Sequence, residues 1–280
     1  MVLCVFSVYP DSYRDYVQYY YTMKENLTII KIGGNVINNP QKLEQVLTDF
    51  TALKGYKILV HGGGKKASQT LTSMGIEPKM INGRRITDES TLEVVVMVYA
   101  GLINKSIVAK LQAKNCNAIG LSGTDGNVIQ AHKRVVKDID YGFAGDIDAI
   151  QAETIKGILE LGLVPVFCPI THDKKEQLLN TNADTITATL GAALAAHFNT
   201  KILYCFEKQG VLSDANDDDS VIPHLTPDLY QQYKNTGVIT DGMIPKLDNA
   251  FFALNHQVQS VRICGIDGMQ SNTGTLITNG

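Results

Sequence analysis

The sequence predicts an α/β fold: a largely parallel sheet covered by helices on both faces. Two observations carry this. From Leu27 onward, short apolar runs alternate with amphipathic segments of helical length, the order expected when helices form the crossovers of a parallel sheet. The first two runs, Leu27–Ile32 and Tyr56–His61, each stop at a glycine cluster, Gly33-Gly34 and Gly62-Gly63-Gly64, as buried strands bounded by turns do.

The first strand carries an anomaly, Lys31. A lysine inside such a run is costly to bury without an anion or a carboxylate beside it. Followed by bare glycine amides, it could form part of a phosphate cradle. Equally, it could sit on an edge strand and snorkel to water beside an ordinary turn. This stretch alone leaves both readings open.

The remaining elements follow in order. A helix is expected near Pro40–Lys54, with Pro40 suited to a first helical position. A second runs from Lys65 to Met74 and is stopped by Gly75. Met80–Arg85 reads as a polar loop or short strand. Asp88–Lys114 has helical periodicity with a break near Gly101. Asn117–Leu121 is a strand, and Val128–Val136 suits a β-ribbon. A helix at Ala152–Leu161 closes on Gly162 and precedes the strand Leu163–Cys168. Leu178–Asp184 is extended and feeds a helix rich in small residues that reaches about Phe198. Strand Lys201–Phe206 precedes a loop whose Asp217-Asp218-Asp219 reads as a solvated surface run. A short helix at Thr226–Lys234, a Gly-containing stretch Thr236–Lys246, a helix to His256 and strands Ser260–Cys264 and Gly274–Thr278 complete the chain. Residues 1–26 differ from the rest and form a tyrosine-rich extension. Met23 is read as the working start, with a helix over Asp11–Met23 that docks on another subunit as the alternative.

Composition narrows the function. The chain has 280 residues, 44% hydrophobic and 19% charged, with a formal net charge of −3. Bulk charge therefore does not favour nucleic acid, and any anionic ligand must be held by a few local cations. Five cysteines, an odd number without CxxC spacing, suggest neither a disulfide framework nor a zinc site. The expectation is a reduced, cytoplasmic protein. The apolar stretch Leu92–Ile103 contains Glu93 and is too short to span a membrane. Met1–Tyr9 lacks the cationic leader of a signal peptide.

Two glycine-rich turns after consecutive strands would aim several N–H groups at one place beyond the sheet's carboxyl edge, an anion site. Gly62-x-Gly64-x-x-Ala67 loosely matches a dinucleotide fingerprint, but the acidic strand end expected about 20 residues on is missing. A nicotinamide-dependent enzyme is therefore the weaker reading. No GxxxxGK[ST], GxSxG, HExxH or kinase catalytic loop occurs. The six histidines show no ligand spacing. Asn180, Asn182 and Asp184 align on one side of an extended segment, although Asp184 could simply favour a helix dipole. Lys246 is a second lysine near a glycine turn and a helix start. Two lysines, glycine amides and a carboxylate suit phosphoryl transfer, which needs charge neutralisation and alignment more than covalent chemistry from the protein. An acceptor carboxylate is already ionised and needs no general base.

Five motifs, in order, resemble the amino acid kinase family over about Leu27–Gly280: Ile30-Lys31-Ile32-Gly33-Gly34, His61-Gly62-Gly63-Gly64, Asn82-Gly83-Arg84-Arg85-Ile86-Thr87, Asn180-Thr181-Asn182-Ala183-Asp184 and Ile239-Thr240-Asp241-Gly242-Met243-Ile244-Pro245-Lys246. The second Asn-containing pattern and Asn-Gly-x-Arg are most similar to members that act on an N-acylglutamate. The resemblance implies a three-layer αβα sandwich with an open, mostly parallel sheet of about eight strands. It divides residues 27–280 into an N-lobe, 27–196, for the acylated amino acid and a C-lobe, 197–280, for the nucleotide. The implied reaction is ATP-dependent phosphorylation of the side-chain carboxylate of N-acetyl-L-glutamate or N-succinyl-L-glutamate to an acyl phosphate, in arginine biosynthesis.

By position, Lys31 and Lys246 would stabilise the moving phosphoryl group and Asp184 would organise them. Gly34, Gly63 and Gly64 would supply amides. Arg85 would grip a carboxylate, and Asn180 and Asn182 would hydrogen-bond the acylated amino acid. Glu207, Gly210, Val238, Ile239 and Thr240 would border the nucleotide, and Mg²⁺ would arrive on the ATP phosphates with no protein metal site. One departure stands out: the family's Ser/Thr-Asp-Val-x-Gly turn is Phe206-Glu207-Lys208-Gln209-Gly210 here. It motivates the alternative of a non-catalytic amino-acid sensor on the same fold, or another kinase of the family. The family further implies a homodimer, or a hexamer joined by N-terminal helices.

Overall fold

The computed structural model describes residues 24–280, apart from 82, 240 and 241. β1 (Asn26–Ile32) leads through α1 (Gly34–Ile37) and α2 (Pro40–Ala52) to β2 (Tyr56–His61). Then α3 (Gly64–Ser73) precedes a hairpin of β3 (Met80–Ile81) and β4 (Arg84–Arg85). A single long helix follows, formed by α4 (Glu89–Val96), a π-wound segment (Met97–Ile103) and α5 (Asn104–Gln112). β5 (Ala118–Leu121), β6 (Ile129–Lys133), β7 (Ala144–Ile150), α6 (Ala152–Glu160), β8 (Val164–Phe167), β9 (Ile170–His172) and β10 (Leu178–Thr181) lead into α7 (Ala183–Leu194). The chain closes with β11 (Asn199–Cys205), β12 (His224–Leu225), α8 (Pro227–Asn235), α9 (Ile244–Asn255), β13 (Ser260–Cys264), α10 (Gly268–Ser271) and β14 (Thr275–Ile277).

The main sheet has eight strands in the order β12-β14-β13-β11-β1-β2-β8-β5. All neighbours are parallel except β13 with β14. A smaller four-stranded sheet, β10-β7-β6-β9, closes on itself. β1 lies between β2 and β11, so Lys31 is not on an edge strand. The sheet passes unbroken from the β2 side to the β11 side of the boundary drawn between residues 196 and 197.

Side-chain alternation divides the core into two layers. Leu27 and Ile29 of β1 and Ile58 and Val60 of β2 pack with Ile186 and Leu190 of α7 and Leu247 and Ala250 of α9. Ile30, Ile32 and Leu59 pack on the opposite face with Leu47 and Phe50 of α2 and Ile107 of α5. Lys31 shares the parity of Leu27 and Ile29, so it projects toward α7 and α9. That parity decides where the site forms.

Three expectations change. The helix expected to break near Gly101 is continuous over Glu89–Gln112, because the chain widens into π turns there instead of stopping. At 24 residues it is long and apolar enough to cross a bilayer by those measures. Val94, Val95, Val98, Ile103, Ile107 and Leu111 are nonetheless buried within the fold. Residues 24–26, placed in the extension, belong to the fold: the Lys24 ammonium donates to the Ala195 carbonyl at 2.8 Å, and Asn199 N–H donates to the Glu25 carbonyl at 2.8 Å. The ribbon expected at 128–136 is strand only over Ile129–Lys133, and its antiparallel partner β7 was not anticipated. β7 reads Ala-Gly-Asp-Ile-Asp-Ala-Ile, too polar and small to announce a strand. The helix considered over Asp11–Met23 lies outside the described residues.

The central position of β1 sets a stability expectation. Ile29 is fully buried whereas Leu161 is exposed. Ile29→Ala is expected to cost about 2–5 kcal/mol in urea unfolding, and Leu161→Ala about 0.5 kcal/mol or less.

Candidate active site

Three elements meet on the α7–α9 face of the sheet. Lys31 comes from β1, Asp184 from the first turn of α7 and Lys246 from the first turn of α9. The Asp184 carboxylate bridges the two cations: Lys31 Nζ lies 2.7 Å from Oδ1 and Lys246 Nζ lies 2.6 Å from Oδ2. The contact to Lys31 is an ion pair off the hydrogen-bonding axis, and Oδ1 has no aligned donor among the described residues. The side chains of Lys31 and Asp184 are only 12% and 11% exposed, against 24% for Lys246. Burial by itself would raise the Asp184 carboxyl, but Lys31 and Lys246 together outweigh it and hold the group well below the usual carboxylate range. Burial is also the largest influence on Lys31, whose ammonium is pushed down despite Asp184, with Lys246 adding to the fall.

The turn that presents Asp184 is fixed from both sides. Asn182 caps α7, its Oδ1 accepting from the N–H groups of Asp184 at 2.8 Å and Thr185 at 3.1 Å. From below, the buried Tyr204 hydroxyl donates to the Asp184 backbone carbonyl at 3.1 Å. Tyr204 is in register with Lys31 on the neighbouring strand.

Beside this triad lies a cavity of about 180 Å³, lined in part by Gly62, Gly63, Gly64, Arg85, Asn180 and Asn182. Gly63 precedes α3, and neither its N–H nor that of Gly64 donates to an acceptor among the described residues. These amides are free to meet an anion at a helix N-terminus. A Cβ on Gly63 would come within 2.6 Å of Ile103 and 2.8 Å of Tyr99, so the packing of the π-wound segment demands glycine there. Arg85 Nη2 donates to the Gly64 carbonyl at 2.9 Å and to Ser68 Oγ at 2.8 Å. Its Nη1 is buried without a partner, and no carboxylate among the described residues pairs with it. Asn180 Nδ2 donates to Thr87 Oγ1 at 3.0 Å. This leaves its amide oxygen as the group with capacity for a ligand.

A larger space of about 600 Å³ continues past Asn182 and Asp184 to Ile244, Pro245 and Lys246. Gly210, Val238 and Ile239 meet at a smaller cavity of about 130 Å³ with Lys208, Val211 and Met243. Glu207 does not line it. Its carboxylate instead accepts from Asn35 Nδ2 at 2.6 Å and so ties the 206–210 turn to α1. Gly34 opens α1, with Gly33 N–H held by the Cys205 carbonyl at 3.3 Å. Thr240 lies outside the described residues. The cavity residues that escaped sequence reasoning include Tyr99, Arg84 and Arg134. Arg84 lies beside Arg85 in the Asn-Gly-x-Arg motif, Tyr99 falls inside an apolar helical stretch, and no motif surrounds Arg134.

Comparison with known proteins gives a consistent result. The sequence profile of the amino acid kinase family matches residues 26–265. The chain is 53% identical over 255 residues to the acetylglutamate kinase of Phocaeicola vulgatus, covering 91% of this chain and 99% of that protein. It is 52% identical over 246 residues to the acetylglutamate kinase of Cytophaga hutchinsonii, covering 88% and 93%. Among solved structures it is similar to smu.665 from Streptococcus mutans, with a TM-score of 0.74 and 27% identity over 91% of this chain and 99% of that one.

The triad predicts a defined pH signature. Asp184→Asn leaves two buried cations facing each other without a counter-charge, and is expected to cost about 3–5 kcal/mol at neutral pH. The folded carboxyl titrates below its unfolded value of about 3.9. Its contribution is therefore full above that value and falls away as pH drops toward the folded pKa. Without Asp184, Lys31 should release its proton more readily, so the deficit should also narrow as pH rises. Urea unfolding of both proteins across the pH range checks this two-sided profile; a deficit independent of pH would exclude the ion-pair account.

Proposed function

The chain belongs to the amino acid kinase family, and we propose that it transfers the γ-phosphoryl group of ATP to the side-chain carboxylate of an N-acylated glutamate, N-acetyl-L-glutamate first, in arginine biosynthesis. The observation that carries the reading is the Lys31–Asp184–Lys246 bridge set beside free glycine amides. The names borne by relatives that are half identical support the choice of acceptor.

In this reading the acceptor lies in the Gly62–Gly64 cavity, with its α-carboxylate on Arg85 and its acyl amide near Asn180 and Asn182. The nucleotide base enters at Gly210, Val238 and Ile239, and its phosphates reach toward Lys246. The acceptor carboxylate oxygen forms a bond to the γ-phosphorus as the bond to the β-phosphate oxygen breaks. The products are an acyl phosphate and ADP, and no proton need move. Lys31, Lys246 and the amides of Gly34, Gly63 and Gly64 meet the charge that spreads over the phosphoryl oxygens and the leaving phosphate. Mg²⁺ enters on the nucleotide. Asp184 acts by holding the lysines, since a carboxylate facing the phosphoryl group directly would repel it.

A second acceptor is favoured by one observation. Arg84 and Arg134 line the cavity in addition to Arg85, one α-carboxylate needs only one of these forks, and Arg84 has no ion pair among the described residues. An acyl group ending in a second carboxylate, as in N-succinyl-L-glutamate, would use Arg84.

Hydroxylamine trapping tests the reaction. Protein, MgATP and N-acetyl-L-glutamate should yield a hydroxamate, and free glutamate should not. Absence of product with both N-acyl substrates would defeat the proposal. Lys31→Ala should lower kcat by about 100- to 1,000-fold. If the second acceptor is used, Arg84→Ala should raise KM for the N-succinyl substrate by about tenfold or more while sparing N-acetyl, because a charge-assisted bond is worth about 1.5–3 kcal/mol.

A further inference from the structure

His61 is fully buried at the end of β2, on the face opposite Lys31. Nothing so far gives it a role. Its Nε2 lies 3.2 Å from Asn104 Nδ2, and its Nδ1 lies 2.7 Å from the Gly62 carbonyl oxygen. The surrounding bonds fix the tautomer. The Val166 carbonyl can only accept, so the Asn104 atom 2.9 Å from it is the amide nitrogen. That same nitrogen faces His61 Nε2, which must therefore be the acceptor. The ring proton then sits on Nδ1 and is donated to Gly62. Burial pushes the imidazole down to about 4, so the ring stays neutral and keeps this pattern at neutral pH.

The Gly62–Gly63 peptide is trans, like all those described. The C=O and N–H of a trans peptide point in opposite directions. Tethering the Gly62 carbonyl to the His61 ring therefore directs the Gly63 N–H away from the core, to the side where the cavity lies. We propose that His61 is a positioning residue: through Nδ1–H it holds the Gly62 carbonyl inward and so aims the Gly63 N–H at the phosphoryl-transfer site. The inference rests on the N-acylglutamate kinase reading for its effect on rate, but not for its effect on geometry.

The supporting packing comes from one helix. Asn104 immediately follows the π-wound segment, whose Tyr99 and Ile103 press against Gly63. Wide π turns bring residues five apart onto one face, which places Tyr99, Ile103 and Asn104 together under the glycine turn. Gly120 leaves room for the carboxamide: a Cβ there would come within 1.9 Å of Asn104 Oδ1. A histidine that merely filled space would need neither a fixed tautomer nor an amide that divides both its protons between the ring and a strand carbonyl.

Three variants test the role. The amide nitrogen of asparagine can take the place of Nδ1, whereas that of glutamine reaches the place of Nε2. His61→Gln and His61→Leu are expected to lower kcat by about 10- to 100-fold with KM for both substrates within about threefold, while His61→Asn keeps kcat within about threefold. In ligand-free, ¹⁵N-labelled protein, the Gly63 N–H residual dipolar coupling reports the orientation directly. It should be retained in His61→Asn and altered in His61→Gln. Equal kcat losses in the Asn and Gln variants, or a normal kcat in His61→Leu, would overturn the inference. If the leucine variant does not fold, the Asn and Gln pair decides. If the unaltered protein yields no hydroxamate, the functional reading fails by itself, and the couplings still decide the geometry: an equal change in both variants overturns the role given to His61.

Discussion

One buried carboxylate holds the site together. Lys31 and Lys246 come from a central strand and a distant helix, 215 positions apart in the sequence, and their like charges would separate them. Asp184 offers each lysine its own oxygen, so two cations can share a poorly hydrated place. An ion pair of this kind adds little net stability, because desolvation offsets attraction. Its value is geometric: Asp184 gathers both ammonium groups, one on each oxygen, at a single place. The surrounding fold serves that carboxylate, with Asn182 capping its helix and Tyr204 fixing its backbone carbonyl from the neighbouring strand.

The sheet explains why these groups converge. β1 is central and parallel to both neighbours, so its carboxyl end, the β2 end and the N-termini of α1 and α3 all open on the same edge. Ligands of parallel α/β sheets lie beyond that edge. Alternation along β1 then separates two functions. Odd positions carry Lys31 toward α7 and α9, while even positions bury Ile30 and Ile32 against α2. A register change of one residue would exchange the lysine for an isoleucine and remove the site.

Much of this was legible in the sequence because the signals were local. Glycine clusters ending apolar runs marked both turns, and a lysine inside a strand demanded a counter-charge that Asp184 supplies. Long-range matters were not legible. No spacing rule shows that Glu207 turns to Asn35 and leaves the cavity at Gly210. Arg134 reaches the Gly62–Gly64 cavity only because β6 and β7 pair, and β7 has too little apolar character to declare itself a strand. At Gly101 a glycine weakens an α-helix locally and suggests a break, whereas the helix continues through π turns in which Tyr99 and Ile103 pack on the Gly63 turn.

Side-chain and backbone donors are held in place by different means. The lysine ammonium groups are positioned by charge, and a carboxylate suffices. A backbone N–H has no charge of its own to steer it and can be aimed only by fixing the rest of its peptide. At Gly63 glycine removes the steric restraint on that peptide, which admits a ligand and also frees the plane to rotate. The restraint must then come from the other end of the same plane, the Gly62 carbonyl, and from the core side, where no ligand competes. His61 provides it with one proton of a ring whose second nitrogen is occupied by Asn104. The buried polar chain from Val166 through Asn104 and His61 to Gly62 thus links the sheet interior to an amide at its edge, which explains why polar side chains occupy a layer built mainly from apolar ones.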